Sequence, residues 1–182
     1  NQMPNSMNRK KSSFVSALVV CSLILSPVSC FAADSDDTVP ASEDQLSLIS
    51  QNCSSIKLQL QNVQKSDAKA RVALGGHYET IVTSLMLNLN LRLVKNNLAV
   101  PELTEQQTSF SSLRSSFKND YIIYSQELES LINLDCKNEP ANYYKQLQVV
   151  RKKRAAVSQD VWRLGQLIST HRETVLGLKD TL

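Results

Sequence analysis

The sequence predicts an all-α protein, an elongated up-down-up three-helix bundle or coiled coil with long helices. Apolar residues recur every three or four positions along most of the 182-residue chain, and this spacing is typical of helices that pack on other helices. Glycine is scarce, with 4 residues, and no alternating run bounded by turn residues predicts a strand. Pro101 and Pro140 mark two short connections, which divide the periodic region into three helices.

The first predicted helix covers about residues 44–97, and Ser42 with Asp44 or Gln45 offers capping chemistry at its start. Its inward stripe comprises Leu46, Ile49, Cys53, Ile56, Leu60, Val63, Asp67, Ala70, Leu74, His77 and Ile81. Gly75 and Gly76 interrupt the pattern and predict either a bend or the close approach of a neighbour. Beyond them the stripe advances by one position, as at a stutter, to Tyr78, Val82, Leu85, Leu89 and Leu93.

The second and third predicted helices cover about residues 103–134 and 140–181. The second has a stripe of Phe110, Leu113, Phe117, Tyr121, Tyr124, Leu128 and Leu131. The third has a stripe of Tyr143, Leu147, Val150, Arg154, Val157, Val161, Leu164, Ile168, His171, Val175, Leu178 and Leu182. Helices of this length, at about 1.5 Å per residue, predict a rod.

The region before the helices has the features of a secretory signal. Met7 precedes Arg9, Lys10 and Lys11, an apolar run and small residues up to Ala33. We therefore expect residues 1–32 to be a signal peptide, with the residues before Met7 not native, and residues 33–43 to be a flexible acidic leader. Residues 44–182 would form the helical bundle. An uncleaved anchor is the alternative, although the run is shorter than the roughly 20 residues that span a bilayer. A lipid on Cys30 is another.

The charge of the exported chain excludes one class of partner. The three basic signal residues account for the whole net charge of +3, and without them 17 basic residues face 17 acidic ones. A neutral chain has no bulk attraction to nucleic acid or to anionic lipid. We therefore expect no nucleic-acid partner, and membrane contact only through a retained signal or a lipidated Cys30.

Two cysteines, Cys53 and Cys136, remain after signal cleavage. An even pair in an exported protein predicts a disulfide. A metal site is the alternative, but the chain has only 2 histidines, and their spacing is not that of a zinc site. A disulfide between the start of the first helix and the second connection would also set the helix register.

Counted from this disulfide, three charged residues lie at one level on core-facing or core-flanking positions. They are Asp67, Asp120 and Arg154, and they predict a buried polar layer in which Arg154 pairs with one or both carboxylates. Buried pairs of this kind can fix register. The alternative is an acid–base role, which a guanidinium does not suit because it cannot be deprotonated in a protein.

Three basic residues and one aromatic residue of the third predicted helix suggest an interaction surface. Arg151, Lys152, Lys153 and Trp162 form a candidate interaction patch. The histidines on the stripes, His77 and His171, are expected to be hydrogen-bonded core residues. No nucleophile, base and acid show the spacing of a catalytic triad, so we predict no catalytic residue, no metal and no cofactor.

Several segments together resemble a group of uncharacterised exported helical proteins from small-genome candidate-phylum bacteria. The residues that carry the resemblance are Asn52–Lys57, Asp67 with Arg71–Gly75, His77–Ile81, and Asp135–Cys136 followed by Pro140 and Tyr144. The resemblance covers the stretch from Cys53 to about Leu178, which is most of the chain after the predicted signal. The resemblance implies an exported helical protein, and it implies no activity, ligand or site residue.

Two functions follow as hypotheses. The first is an exported, non-enzymatic helical interaction or scaffold protein of the cell envelope or extracellular space, which binds an envelope component or a second copy of itself. The second is a small-molecule or metal-binding helical bundle in which His77, His171, Tyr78 and Tyr124 line a cavity.

Overall fold

The computed structural model describes residues 40–98 and 100–179, and every regular element in these ranges is helical. The elements are α1 (Glu43–Gln51), α2 (Cys53–Thr80), a π-helical segment (Ile81–Met86), α3 (Leu87–Lys95), α4 (Pro101–Asn133) and α5 (Pro140–Lys179). The all-α fold class is therefore confirmed. The predicted signal peptide, Cys30 and most of the acidic leader lie outside the described residues.

Local sequence explains where the helices begin and end. Ser42 and Gln45 form a reciprocal capping box, in which each side chain accepts a hydrogen bond from the other residue's backbone N–H. Pro101 and Pro140 are the first residues of α4 and α5, where proline's missing N–H costs nothing. After α3 the chain turns at Asn97, which has a positive φ of 58°. Asparagine tolerates this conformation better than most residues.

Two features of the first long helix bear on the predicted change of its stripe: the glycine pair, and a π-helical segment that follows Tyr78. The helix runs without a break through Gly75 and Gly76, and a Cβ built on either would meet nothing within 4 Å. Neither glycine therefore accommodates a close neighbour. The π-helical segment follows instead, with the N–H of Leu87 bonded to the carbonyl of Val82. A π turn contains an extra residue, so it rotates the following residues relative to an α-helix.

This rotation changes which residues of the first long helix face the core. Val82, Met86 and Asn90 are buried, whereas Leu85, which was predicted to point inward, is 60% exposed. The predicted stripe is right for Tyr78 and Val82, which are buried, and wrong for Leu85, because Met86 and Asn90 enter the core in its place. The buried set follows a spacing of four across the π-helical segment, which a pattern based on α-helical geometry does not reproduce.

Helix α4 packs on both of the other long elements. Its contacts with α2 and α3 pair Glu79 with Arg114 and Asn90 with Gln107. Its contacts with α5 pair Glu127 with Gln146 and Gln106 with Thr174. Residue numbers rise on one element as they fall on the other, so each neighbour runs antiparallel to α4. Among the described residues, no Cα atom of α2 lies within 8 Å of one in α5. Helix α1, in contrast, packs directly on α5.

The core contains two clusters along the helices. One comprises Tyr78, Val82, Met86, Phe110, Phe117 and Leu164. The other comprises Tyr124, Leu128, Leu131, Cys136, Tyr143 and Val150. Across residues 40–98 and 100–179, no helix combines the length and the apolar character needed to cross a membrane.

Candidate functional site

The two cysteines meet as predicted. Cys53, the first residue of α2, and Cys136, in the connection between α4 and α5, form a disulfide with a Cα–Cα distance of 5.5 Å. Cys136 is fully buried and belongs to the core cluster around Tyr143. The hydroxyl of Ser50 donates a 2.8 Å hydrogen bond to the carbonyl of Lys137 beside it. The disulfide therefore joins the start of the first long helix to the second connection.

One polar cluster links α2, α4 and α5. The Nε and Nη2 atoms of Arg154 donate to the two carboxylate oxygens of Asp67, at 3.0 and 3.1 Å. The hydroxyl of Tyr124 donates a 2.7 Å hydrogen bond to the same carboxylate. The hydrogen bond from Arg154 to Asp67 raises the pKa of the guanidinium. Burial, and then the bond to Asp67, raises the pKa of Tyr124, so the phenol stays protonated.

The sequence prediction of a buried layer is wrong in two respects. The side chain of Arg154 is 58% exposed and that of Asp67 is 21% exposed, so the pair lies at the edge of the core. The long side chain lets the guanidinium stay in water while it bonds the carboxylate. Asp120 is also placed differently, because its carboxyl lies beside Asp160 and not beside Arg154.

Asp160 is a polar core residue that the sequence interpretation missed. It is 4% exposed, and its Oδ2 atom has no hydrogen-bond partner among the described residues. Burial raises its pKa, and the charge of Asp120 and the hydrogen bond with it raise the pKa further, while Arg163 lowers it. Asp160 lies four residues before the buried Leu164, and this spacing was the available signal.

A groove lies between α2 and α5, with α4 as its floor, and we call it the α2–α5 groove. Its volume is about 480 Å³. The lining residues are Asp67, Ala70, Arg71, Leu74, Phe117, Tyr121, Tyr124, Arg151, Arg154, Ala155, Val157, Ser158 and Val161. The guanidinium carbon of Arg71 lies 5.7 Å from the centre of the Tyr121 ring, in cation–π geometry. The groove thus combines apolar walls with several arginines.

The predicted interaction patch does not form one surface. Arg151, Lys152 and Lys153 are all exposed on α5. Successive helical residues are separated by about 100°, so the two lysines point away from the side of α5 on which Arg151 lies. Trp162 is 63% exposed and, eleven positions after Arg151, lies on nearly the same side of the helix. Arg151 lines the α2–α5 groove, whereas Lys152 and Lys153 do not.

The aromatic and histidine residues of the second hypothesis are not brought together. Tyr78 and Tyr124 belong to different core clusters, and His77 is exposed. His171 is half-buried, with its Nδ1 atom 3.0 Å from Oε1 of Gln106, and burial lowers its pKa. The prediction that His77 is a core residue is therefore wrong. In the described ranges, no three histidine, cysteine or acidic residues are grouped for a metal ion.

An exposed apolar stripe runs along the end of the first long helix. Leu87, Leu91, Val94 and Leu98 are between 39% and 60% exposed, and we call these four residues the α3 stripe. Leu87, Leu91 and Val94 follow one another at the spacing of a coiled-coil seam, and Leu98 lies beyond the end of α3 at Lys95. The sequence between Glu79 and Glu102 contains Arg92 and Lys95 and no acidic residue. This stripe is an apolar surface with basic residues beside it.

Comparison of the chain with protein families, with curated proteins and with solved structures finds no significant match.

Proposed function

We propose that the protein is an exported, non-enzymatic interaction or scaffold protein of the cell envelope or extracellular space, built as an elongated up-down-up three-helix bundle. Two features support export. The chain has a secretory signal pattern before its helices, and it has a disulfide of the kind that persists in oxidising compartments. The antiparallel pairing of α4 with its two neighbours supports the bundle.

The observation that carries the interaction function is the α3 stripe. Single exposed apolar residues are normal on a protein surface, but a contiguous set at seam spacing indicates a binding surface. Leu91 and Val94 are 58% and 60% exposed and lie next to each other on one side of α3. A second amphipathic helix could bury these side chains by knobs-into-holes packing.

The charges beside the stripe favour one kind of partner. Arg92 and Lys95 lie on the same helix, and no acidic residue occurs between Glu79 and Glu102. Two copies packed through this segment would bring only basic side chains into it, so self-association gains no charge pairing there. The partner that fits is an amphipathic helix of another protein, with an apolar stripe and acidic flanking residues.

The experiment is site-specific crosslinking followed by reconstitution. A photoreactive residue replaces Leu91 in the full chain expressed in its native cells, and the crosslinked partner and its contact segment are identified by mass spectrometry. We expect that segment to be an acidic amphipathic helix. The purified partner should then bind the wild-type protein. The double variant Leu91→Gln/Val94→Gln should bind it at least tenfold more weakly, because both substitutions remove apolar side chains that the partner would bury.

Leu58 provides the matched control. It is 60% exposed but lies outside the α3 stripe, so Leu58→Gln should leave the affinity unchanged. Crosslinks from position 91 only to another copy of the chain, or only to lipid, would contradict the proposed partner. Equal weakening by Leu58→Gln and by the stripe variant would show that the stripe is not the binding surface.

A further inference from the structure

We propose that the α2–α5 groove binds a small amphipathic anion, a molecule with one apolar chain and a carboxylate or similar head group. This inference goes beyond the interaction function, because it uses a different surface and needs no protein partner. It depends on the charge, the shape and the apolar character of the groove.

Among the described residues, the groove has two arginines that no carboxylate pairs with. Arg154 is paired with Asp67 through two hydrogen bonds, so these two charges compensate each other. Arg71 packs on the Tyr121 ring, and Arg151 is exposed at the groove edge. Neither is within ion-pair distance of a carboxylate in the described part of the chain. Two arginines are therefore available to bind an anionic head group by charge-assisted hydrogen bonds.

The rest of the groove suits an apolar chain. Its apolar lining includes Leu74, Val157 and Val161, which are partly buried, and Phe117, which belongs to the core beneath the groove. Small side chains at Ala70, Ala155 and Ser158 leave its space open. The volume of about 480 Å³ lies in the range of small-molecule sites. A ligand would cover apolar surface that water now contacts.

The polar bridge across the groove favours a small ligand over a helix. Asp67 lies on α2 and Arg154 on α5, so their hydrogen bonds cross the space between the two helices. A partner helix lying along the groove would have to break this bridge and leave the Tyr124 hydroxyl without its acceptor. A short chain that lies beside the bridge leaves all three contacts intact.

Calorimetric titration of the full chain with decanoate, below its micelle concentration, tests the proposal. We expect saturable binding, at least tenfold tighter than that of 1-decanol, which has the same chain and no charge. Arg151→Gln should weaken decanoate binding about tenfold, because it removes a charged hydrogen-bond donor. Ala155→Leu should abolish binding by filling the groove. Trp162, the only tryptophan, lies one turn beyond Ser158 on the same side of α5 and gives a fluorescence readout.

Lys153→Gln is the matched control, since Lys153 is exposed two positions from Arg151 and does not line the groove. It should leave affinity unchanged, and circular dichroism should show that each variant is folded. Absence of saturable binding, equal affinity for decanoate and 1-decanol, or equal effects of the Arg151 and Lys153 variants would overturn the proposal. Flotation with anionic phospholipid vesicles without any decanoate binding would assign the arginines to a membrane surface and would also overturn it.

Discussion

The disulfide between Cys53 and Cys136 should contribute a large part of the stability. It closes a loop with a sequence separation of 83 residues. The chain-entropy relation for such a loop gives about 4.5 kcal/mol of stabilisation at 25 °C, because the disulfide restricts the unfolded chain. For a helical region of this size, a loss of that magnitude lowers the melting temperature by about 15 °C. This contribution of the disulfide is a substantial fraction of the free energy of unfolding of a typical domain.

The test replaces both cysteines with alanine, which avoids placing a hydroxyl at the fully buried position of Cys136. Urea unfolding followed by circular dichroism gives the free energy of unfolding for the oxidised wild type, the reduced wild type and the double variant. Reduced wild type and double variant should both be less stable by several kcal/mol. If their loss is below about 1 kcal/mol, the loop-closure reasoning is refuted, since the unfolded chain would then be as restricted without the disulfide.

Three further predictions concern single positions. Asp160→Asn should stabilise the protein at pH 7: the folded pKa of Asp160 is raised above 3.8 by burial, so the cost of its ionisation appears as pH rises through that pKa. The gain should vanish in urea unfolding well below pH 3.8, and a gain that persists there would contradict this origin. A double-mutant cycle of Asp67→Asn and Arg154→Met should give a coupling of about 0.5–1 kcal/mol, since the pair is bidentate but partly exposed. A coupling near zero would show that the pair adds no stability. Gly76→Ala should raise the free energy of unfolding by about 0.5–1 kcal/mol, because the helix is continuous and the added methyl meets no atom, and a loss in thermal unfolding would refute an unobstructed helix.

Much of the fold follows from local sequence signals. Pro140 begins α5 at the predicted residue, and α4 begins at Pro101, two residues before the predicted boundary. The predicted stripe of α4 is largely correct, because Phe110, Phe117 and Tyr124 are all buried. Spacing in a regular α-helix and the positional preferences of proline are properties of single segments. They can be predicted without knowledge of the partner helices.

The candidate site could be predicted only in part. The sequence placed Asp67 and Arg154 at one level, and the structure joins them. It did not predict their exposure, which depends on how closely α2 approaches α5. The burial of Asp160 and the rotation produced by the π-helical segment are likewise consequences of packing between helices. An apolar stripe predicted from regular α-helical spacing shows neither the burial of Asp160 nor the rotation after the π-helical segment.

The open space between α2 and α5 connects these observations. At one end α1 packs on α5, and the disulfide fixes the start of α2 to the connection before α5, so the elements are held together there. Further along, no Cα atom of α2 lies within 8 Å of one in α5, and the bridge between Asp67 and Arg154 crosses this space. The long guanidinium side chain reaches across this space to the carboxylate, and both groups retain contact with water. The same separation that leaves this pair exposed also leaves the groove open, with Arg71 and Arg151 beside it.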